Sequence, residues 1–175
     1  LLSHNDLDGV GCGILAKLAF NERVKVRYNS VISLNQEIEL FLDKGQQDAF
    51  LFITDLSPNE ENEKRLNDYY LETKKVQLID HHKTALHLND YEWGHVLVEE
   101  KEGHLTSATS LFYHYLVTHE LLEPSDAITE FVEHDPAAGV YVPTDSIIIL
   151  VVVLINAVLG VIQESKAEKA VEALQ

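Results

Sequence analysis

The chain has 175 residues, of which 46% are hydrophobic, and its 29 acids against 13 bases give a formal charge of −16. This acidity argues against a protein that coats long nucleic acid through phosphate contacts, although cations bound in an acidic pocket would still admit short oligonucleotides or nucleotides. The length suits one ordinary domain with a packed core, and the single cysteine, Cys12, excludes an internal disulfide and favours a reducing, cytoplasmic compartment.

The first predicted elements are a strand over residues 1–3 and a helix over 14–20, separated by a polar, glycine-rich turn. In that turn His4, Asp6 and Asp8 alternate, so an extended backbone can bring all three side chains to one point. The glycines that follow allow the helix to pack closely beneath such a site. Because there is no initiator Met and the chain opens almost on this motif, we expect a piece of a longer protein.

Strand and helix patterns continue to alternate through the first half of the chain. Strands are predicted over 25–31, 50–54 and 74–79, and a helix over 34–42. A further helix is predicted to begin with Ser57 as its cap and Pro58 at its first position, and to end near Leu71. This order predicts an α/β fold, a parallel sheet with helices on both faces.

Two of the predicted strands end in acids and histidines. Asp55 follows the strand over 50–54, and Asp80, His81 and His82 end the strand over 74–79, which we predict to be the central one. The carboxyl ends of parallel strands share one edge, where open α/β sheets place their sites. The sequence therefore predicts a single cluster of seven residues: His4, Asp6, Asp8, Asp55, Asp80, His81 and His82.

The residue types of this cluster are those that Mn²⁺ or Mg²⁺ prefers, with carboxylates and imidazoles and no thiolates. Two such ions about 3.5–4 Å apart can activate a water and stabilise both oxygens of an in-line phosphoryl displacement. Alternatives remain for single members. Asp55 could instead cap a helix, His4 could be an ordinary polar residue, and Asp80 is better suited to orient a histidine than to bind metal directly.

Three more elements are predicted between residues 91 and 133: an edge strand over 91–99 and helices over 111–122 and 124–132. Hydroxyl groups open the first of these helices. Thr106 and Ser107 could simply cap it, or could present hydroxyl and backbone N–H groups to a substrate phosphate. Both interpretations stay open at this point.

The pattern breaks over residues 134–142, and the rest of the chain differs from what precedes it. Residues 147–162 are almost wholly apolar, and 163–174 form a charged amphipathic pattern. A long hydrophobic C-terminal helix is predicted, and the stretch 146–162 is at the lower limit for spanning ~30 Å of hydrocarbon. Insertion into a membrane, burial in the chain's own core and contact within a homodimer are the alternatives.

The motifs His4 to Gly9, Asp55 and Asp80 to His82 resemble the first three motifs of the DHH phosphoesterase superfamily, over residues 1–133. Residues 105–110 and 131–133 resemble its small bacterial oligoribonuclease-like members. The resemblance implies a catalytic domain that uses two Mn²⁺ ions, with Mg²⁺ as the alternative, to hydrolyse phosphodiester bonds in short oligonucleotides or nucleotides.

The resemblance also implies roles for individual residues. His4 and Asp6 would hold one ion, Asp8 and His81 the other, and Asp55 would bridge the two. His82, oriented by Asp80, would contact the scissile phosphate or its leaving oxygen.

The chain departs from this family in its second part, so the catalytic domain is expected to be incomplete. The fourth family motif is an aspartate just beyond Glu133, where only Asp135 is available, and the separate substrate-binding domain is not seen. Residues 143–175 resemble a transmembrane helix and stalk of bacterial calcium-type P-type ATPases, which predicts a junction of two unrelated segments over 134–142. The alternatives to an active phosphoesterase are therefore a catalytically dead metal- or nucleotide-binding remnant and a membrane segment of a cation-transporting ATPase fused to a DHH fragment.

Overall fold

A computed structural model describes residues 1–44, 48–99 and 105–133, which all belong to one compact unit, Leu1–Val140. The predictions for Asp135, for the junction over 134–142 and for the apolar tail over 143–175 lie outside the described residues, as do the membrane, dimer and ATPase interpretations of that tail. Within the described ranges, no helix is long and apolar enough to cross a membrane.

In the described part of the chain, five short strands form one sheet in which every neighbouring pair is parallel. The order across the sheet is β2-β1-β3-β4-β5. This confirms the predicted α/β class, but the strand that delivers Asp80 is not the central one, because β3 holds that place. The strands are β1 (Leu2–His4), β2 (Arg27–Asn29), β3 (Leu51–Thr54), β4 (Val76–Asp80) and β5 (Gly94–Val96).

The described helices connect these strands and then follow the last of them. They are α1 (Leu7–Phe20), α2 (Val31–Asp43), α3 (Glu60–Thr73), α4 (Ala108–Thr118) and α5 (Asp126–Glu133), with 3-10 helices over Asn21–Arg23 and Lys83–Asp90. Several predicted helix starts were wrong, and α2 begins at Val31 rather than at Leu34. Helix α1 begins before its glycines, because Asp6 caps it by accepting a hydrogen bond from the backbone N–H of Gly9. Helix α3 is capped by Asn59, which leaves Pro58 outside it.

The prediction that glycine allows close packing beneath the first motif is confirmed at Gly9. A Cβ added there would lie 2.2 Å from the main-chain oxygen of His4. Such a distance cannot be relieved by a side-chain movement, since the obstructing atoms are backbone. Helix α1 can therefore pass directly under the end of β1 only with glycine at this position.

Helices cover both faces of the sheet, as the alternation of side chains along the strands requires. Leu51, Ile53 and Leu78 are buried on one face with residues of α2 and α3. Phe52 and Ile79 are buried on the other face with residues of α1, α4 and α5. The result is three layers, helix, sheet and helix, built around two apolar clusters.

The sheet changes its direction of winding between β1 and β3. The chain leaves β1 through α1 to reach β2 on one side, and all later strands are added on the other side. In doubly wound sheets, the crevice outside the carboxyl ends of the two strands at such a switch point is where ligands bind. The fold therefore marks the ends of β1 and β3 as the place to look for a site.

Candidate metal centre

The predicted acids and histidines meet at this switch point. His4 is the last residue of β1, Asp55 directly follows β3, and Asp80 is the last residue of β4. His81 and His82 follow Asp80 and complete the group. The arrangement arises because three parallel strands end at the same edge, so that residues far apart in sequence are brought side by side.

Asp55 lies in the middle of the cluster and is 1% exposed. Its Oδ1 is 3.3 Å from Nε2 of His81, and its Oδ2 is 3.6 Å from Nδ1 of His4. The two oxygens of one carboxylate therefore face ligand candidates from β1 on one side and from the end of β4 on the other. This is the placement that the prediction of a bridging role requires.

The backbone of Asp55 adopts a left-handed conformation, with φ of 61°. Aspartate is one of the few residues with a side chain that tolerates this region, at a cost of about 1 kcal/mol or more. Its N–H still donates to the carbonyl oxygen of Ile79, so the ladder between β3 and β4 holds the turned residue in place. Strand pairing thus fixes the direction of a carboxylate that the local backbone alone would not favour.

One oxygen of this buried carboxylate, Oδ2 of Asp55, has no hydrogen-bond partner among the described residues. A buried carboxylate oxygen without a donor costs free energy, and native proteins resolve such cases with a partner or a bound cation. The ligand atoms of His4, Asp6 and Asp55 lie within 4.8 Å of one another, and so do those of Asp55, Asp80, His81 and His82. The residues present therefore fit a divalent cation, and Asp55 belongs to both sets.

His4 and Asp6 form the first side of the cluster. Nδ1 of His4 lies 2.6 Å from Oδ2 of Asp6. The other Asp6 oxygen, Oδ1, accepts the capping hydrogen bond from Gly9. One oxygen of Asp6 thus caps helix α1, and the other lies in the cluster beside His4. His4 and Asp6 are therefore close enough together to share one ion, as the prediction requires.

Asp8 and His81 form the second side. Nε2 of His81 is 3.3 Å from Oδ2 of Asp8, the same separation as from Oδ1 of Asp55. Asp8 is 5% exposed, within the first turn of α1. The imidazole nitrogen of His81 therefore lies equally far from two carboxylates, although Asp8 itself belongs to neither set of ligand atoms within 4.8 Å of one another.

Asp80 is fully buried and acts on the histidines that follow it. Its Oδ1 accepts hydrogen bonds from the backbone N–H of His81 at 2.7 Å and from Nδ1 of His82 at 2.7 Å. Its Oδ2 accepts from the hydroxyl of Ser57 at 2.9 Å. These contacts favour the predicted orienting function over direct metal ligation, since both oxygens are already engaged.

The concentration of carboxylates shifts the titration of the group. Burial raises the pKa of Asp55 to about 6, and the neighbouring charges of Asp8 and Asp6 act in the same direction. The hydrogen bond to Asp55, followed by the charge of Asp8, raises the pKa of His81 to about 9. Burial is thus the main cause of the Asp55 shift and the carboxylates around His81 are the main cause of the other, and a divalent cation would compensate the negative charge that these carboxylates bring together.

His82 and Asp80 titrate as partners. The hydrogen bond to Asp80 raises the pKa of His82. Burial alone would raise the pKa of Asp80, but the hydrogen bond and charge of His82, with the Ser57 hydroxyl, bring it below its usual value. His82 is about half exposed, so a proton held on its ring is accessible to a ligand at the edge of the sheet.

We expect Asp80→Asn to lower the pKa of His82 toward its ordinary value. The free energy of unfolding should fall by about 1 to 2 kcal/mol, because an amide cannot accept all the hydrogen bonds made by Asp80 and one buried donor loses its partner. An NMR titration of the His82 ring and urea unfolding in the presence of chelator would measure the two effects.

Ser57→Ala is the matched control for this change, since it removes only the bond to Oδ2 of Asp80 and should leave the His82 titration nearly unchanged. An unaltered His82 pKa in Asp80→Asn would show that Asp80 does not hold this ring.

The two hydroxyl residues predicted to cap α4 or to meet a substrate phosphate are both buried. Ser107 is the N-cap of α4, where it forms a reciprocal capping box with Ser110. The hydroxyl of Thr106 donates to the main-chain oxygen of Leu97. Capping is thus observed for Ser107, while contact of either residue with a phosphate stays a prediction.

Two residues at the site were not identified from the sequence. Ser57 was assigned as a helix cap, but its hydroxyl binds Asp80. Thr109 has no predicted role, yet it donates two hydrogen bonds to Asp8, from its backbone N–H and from its hydroxyl. Neither position carries a sequence signal, because the partner in each case is more than 20 residues away.

The chain resembles known proteins over much of its length. No family model matches the chain. The chain is 60% identical over 137 residues to oligoribonuclease NrnB of Bacillus subtilis (strain 168), covering 76% of this chain and 34% of that protein. A crystal structure of an uncharacterized protein from Helicobacter pylori G27 superposes with a TM-score of 0.60 at 22% identity, covering 75% of this chain and 39% of that one, and so supports the fold alone. The chain thus spans about a third of the curated relative's length, and over that part it is homologous to oligoribonuclease NrnB.

Proposed function

We propose that this chain carries the metal-binding catalytic part of a hydrolase that cleaves phosphodiester bonds in short RNA oligonucleotides, as a member of the DHH phosphoesterase superfamily. The observation that carries the proposal is the buried Asp55 carboxylate between two sets of ligand candidates, whose Oδ2 accepts no hydrogen bond from the described residues. The 60% identity to an oligoribonuclease supports RNA as the substrate class. Mn²⁺ is the proposed metal, with Mg²⁺ as the alternative, because the ligand set is carboxylate and imidazole.

In this proposal, His4 and Asp6 would hold one ion, Asp8 and His81 would hold a second, and Asp55 would be a ligand shared by both. Bound ions would lower the pKa of a water used for attack and would stabilise the charge that develops on the phosphate oxygens. The chain's own residues supply the geometry for this chemistry. Strand pairing and the left-handed turn at Asp55 set its direction, so that no ligand has to reorganise during the reaction.

His82 has a separate function in the proposal. Its Nδ1 donates to Asp80, which fixes the plane of the ring, and this hydrogen bond raises the pKa of the half-exposed imidazole and so favours its protonated form. A protonated ring at this edge can donate to a phosphate oxygen or to the leaving oxygen as negative charge develops there. His82 is therefore proposed as the residue that contacts the reacting phosphate.

A second candidate function is metal or nucleotide binding without turnover. The observation that favours it is the matched length, since the chain spans only 34% of the oligoribonuclease that it resembles. Residues that complete a substrate site in that relative need not have counterparts here. In this case the chain would bind Mn²⁺ through the cluster and would not cleave RNA.

The test is to incubate the 175-residue chain with a single-stranded RNA pentanucleotide and Mn²⁺, and to follow the products by chromatography. We expect nucleotides to be released, EDTA to stop the reaction, and a long DNA duplex to stay intact, since the acidic chain repels extended phosphate backbones. Mn²⁺ binding without cleavage of the pentanucleotide would favour the second candidate. A folded chain that binds no divalent cation would contradict both.

A further inference from the structure

We propose that Thr109 is a positioning residue for Asp8, and that the first turn of α4 decides whether the ion on the Asp8 and His81 side of the centre is held. The inference rests on the metal site proposed above and extends it to residues that contact no candidate substrate or metal. It assigns a function to the region around Ser107 that differs from phosphate binding.

Three hydrogen bonds run from this turn to the single residue Asp8. The backbone N–H of Ala108 donates to Oδ2 at 2.8 Å, and the backbone N–H of Thr109 donates to Oδ1 at 2.7 Å. The hydroxyl of Thr109 donates to the main-chain oxygen of Asp8 at 2.7 Å. Both the carboxylate and the backbone of Asp8 are thereby fixed to α4, an element that begins 100 residues further along the chain.

This arrangement limits how Asp8 can meet a cation. A carboxylate oxygen offers two lone-pair directions, and α4 occupies one direction on each oxygen. The remaining direction on Oδ2 lies on the side of His81, whose Nε2 is 3.3 Å away. Asp8 is therefore held as a ligand through one oxygen, aimed at the space it shares with His81. Without these hydrogen bonds, the side chain would be free to rotate away from that space.

The hydroxyl of Thr109 is not needed to cap the N-terminus of α4. The capping box of Ser107 and Ser110 satisfies the backbone N–H groups of those two residues, and the Asp8 carboxylate accepts from the N–H groups of Ala108 and Thr109. The approach of α1 to this hydroxyl is instead unusually close, since a Cβ added at Gly11 would lie 2.3 Å from Oγ1 of Thr109. Glycine at that position thus makes room for a hydroxyl whose hydrogen bond goes to Asp8.

The first experiment compares Thr109→Ala with Thr109→Ser. The two variants share the loss of the methyl group and differ in the hydroxyl alone. Isothermal titration of the 175-residue chain with Mn²⁺ should show one of two ions bound 10- to 100-fold more weakly by Thr109→Ala, the scale for residues that orient a metal ligand. Thr109→Ser should bind both ions nearly as the unaltered chain does.

A second variant removes a backbone donor. Ala108 occupies the first position of α4, where proline is best tolerated, and Ser107 before it is already extended, with φ of −121° and ψ of 156°. Ala108→Pro removes the N–H that binds Oδ2 of Asp8, and should reduce the Mn²⁺ stoichiometry from two to one. Glu60→Pro, at the first position of α3 behind an extended Asn59, is the matched control and should keep both ions.

The outcomes separate this inference from the proposed function. Two ions bound with unaltered affinity by Thr109→Ala would overturn the inference and leave the metal site standing, and so would a Thr109→Ser variant as weak as Thr109→Ala. An unaltered chain that binds no Mn²⁺ would overturn both. Thermal unfolding of the variants in EDTA completes the test. If Thr109 had only a structural role, Thr109→Ala would lower the stability of the metal-free chain but would bind Mn²⁺ as tightly as Thr109→Ser.

Discussion

Replacement of Asp55 by asparagine is expected to abolish Mn²⁺ binding at both positions and to reduce RNA hydrolysis by at least about 100-fold, the scale for removing one preorganised charge-stabilising group. Asp55 is the residue common to both sets of ligand candidates. An amide in its place removes the negative charge that holds the cations, although it keeps the size and shape of the side chain. A single isosteric substitution should therefore disable the whole centre.

The same substitution should stabilise the metal-free protein. Burial raises the pKa of Asp55 from 3.8 to about 6, so ionising this carboxylate costs more in the fold than in the unfolded chain. The unfolded chain loses its proton first, near its ordinary value, and stability falls as pH rises from there to about 6. Above that pH the full cost applies, roughly 3 kcal/mol at most from the size of the shift. Because Asp55→Asn also removes the hydrogen bond that raises the pKa of His81, only part of this cost is recovered, and we expect a gain on the order of 1 kcal/mol in the free energy of unfolding near neutral pH in EDTA.

Urea unfolding with and without Mn²⁺, together with the pentanucleotide assay, would measure these opposite effects. Asp68→Asn, an exposed aspartate on α3, is the control and should alter neither stability nor hydrolysis appreciably. An Asp55→Asn variant that is less stable than the unaltered chain in EDTA would show that neighbouring groups already stabilise the ionised carboxylate in the metal-free protein. Hydrolysis at an unaltered rate would remove Asp55 from the catalytic centre.

The general form of the fold could be predicted because its signals are local. Apolar runs that end in acids or histidines identified β1, β3 and β4, and the alternation of strand and helix indicated parallel pairing. The position of Asp55 beside His4 and His81 then follows from the rule that parallel strands end together. Helix starts were less accurate, because Ser57 and Asn59 are both good caps and only tertiary packing selects between them.

The contacts that complete the site could not be predicted in the same way. The left-handed turn at Asp55 has no signature in the sequence, since most aspartates adopt ordinary conformations. The hydrogen bonds of Thr109 to Asp8 join residues 101 positions apart, and no helix or strand period relates them. Such contacts can be identified only from the packing of α4 against α1. The supporting residues of a site are therefore harder to find from sequence than its ligands.

The affinity of the centre for Mn²⁺ is expected to rise steeply with pH. The hydrogen bond to Asp55 and the charge of Asp8 raise the pKa of His81 to about 9, so its ring is protonated in the metal-free protein near neutral pH. A cation can bind Nε2 only after that proton leaves, and metal binding must therefore release it. Asp55 is already ionised above its pKa of about 6, so it adds no further proton in this range.

One proton released for each ion bound at His81 means that the apparent affinity should increase about tenfold per pH unit below pH 9, or about 100-fold between pH 6.5 and 8.5. Titrations in buffers of different ionisation enthalpy would count the proton directly. His87→Gln is the matched histidine control, because His87 pairs with Glu63 and lies outside both sets of ligand candidates, and this variant should keep the same slope. An affinity that stays flat over this range would mean that His81 does not exchange a proton for the ion, and the assignment of His81 as a ligand would have to be abandoned.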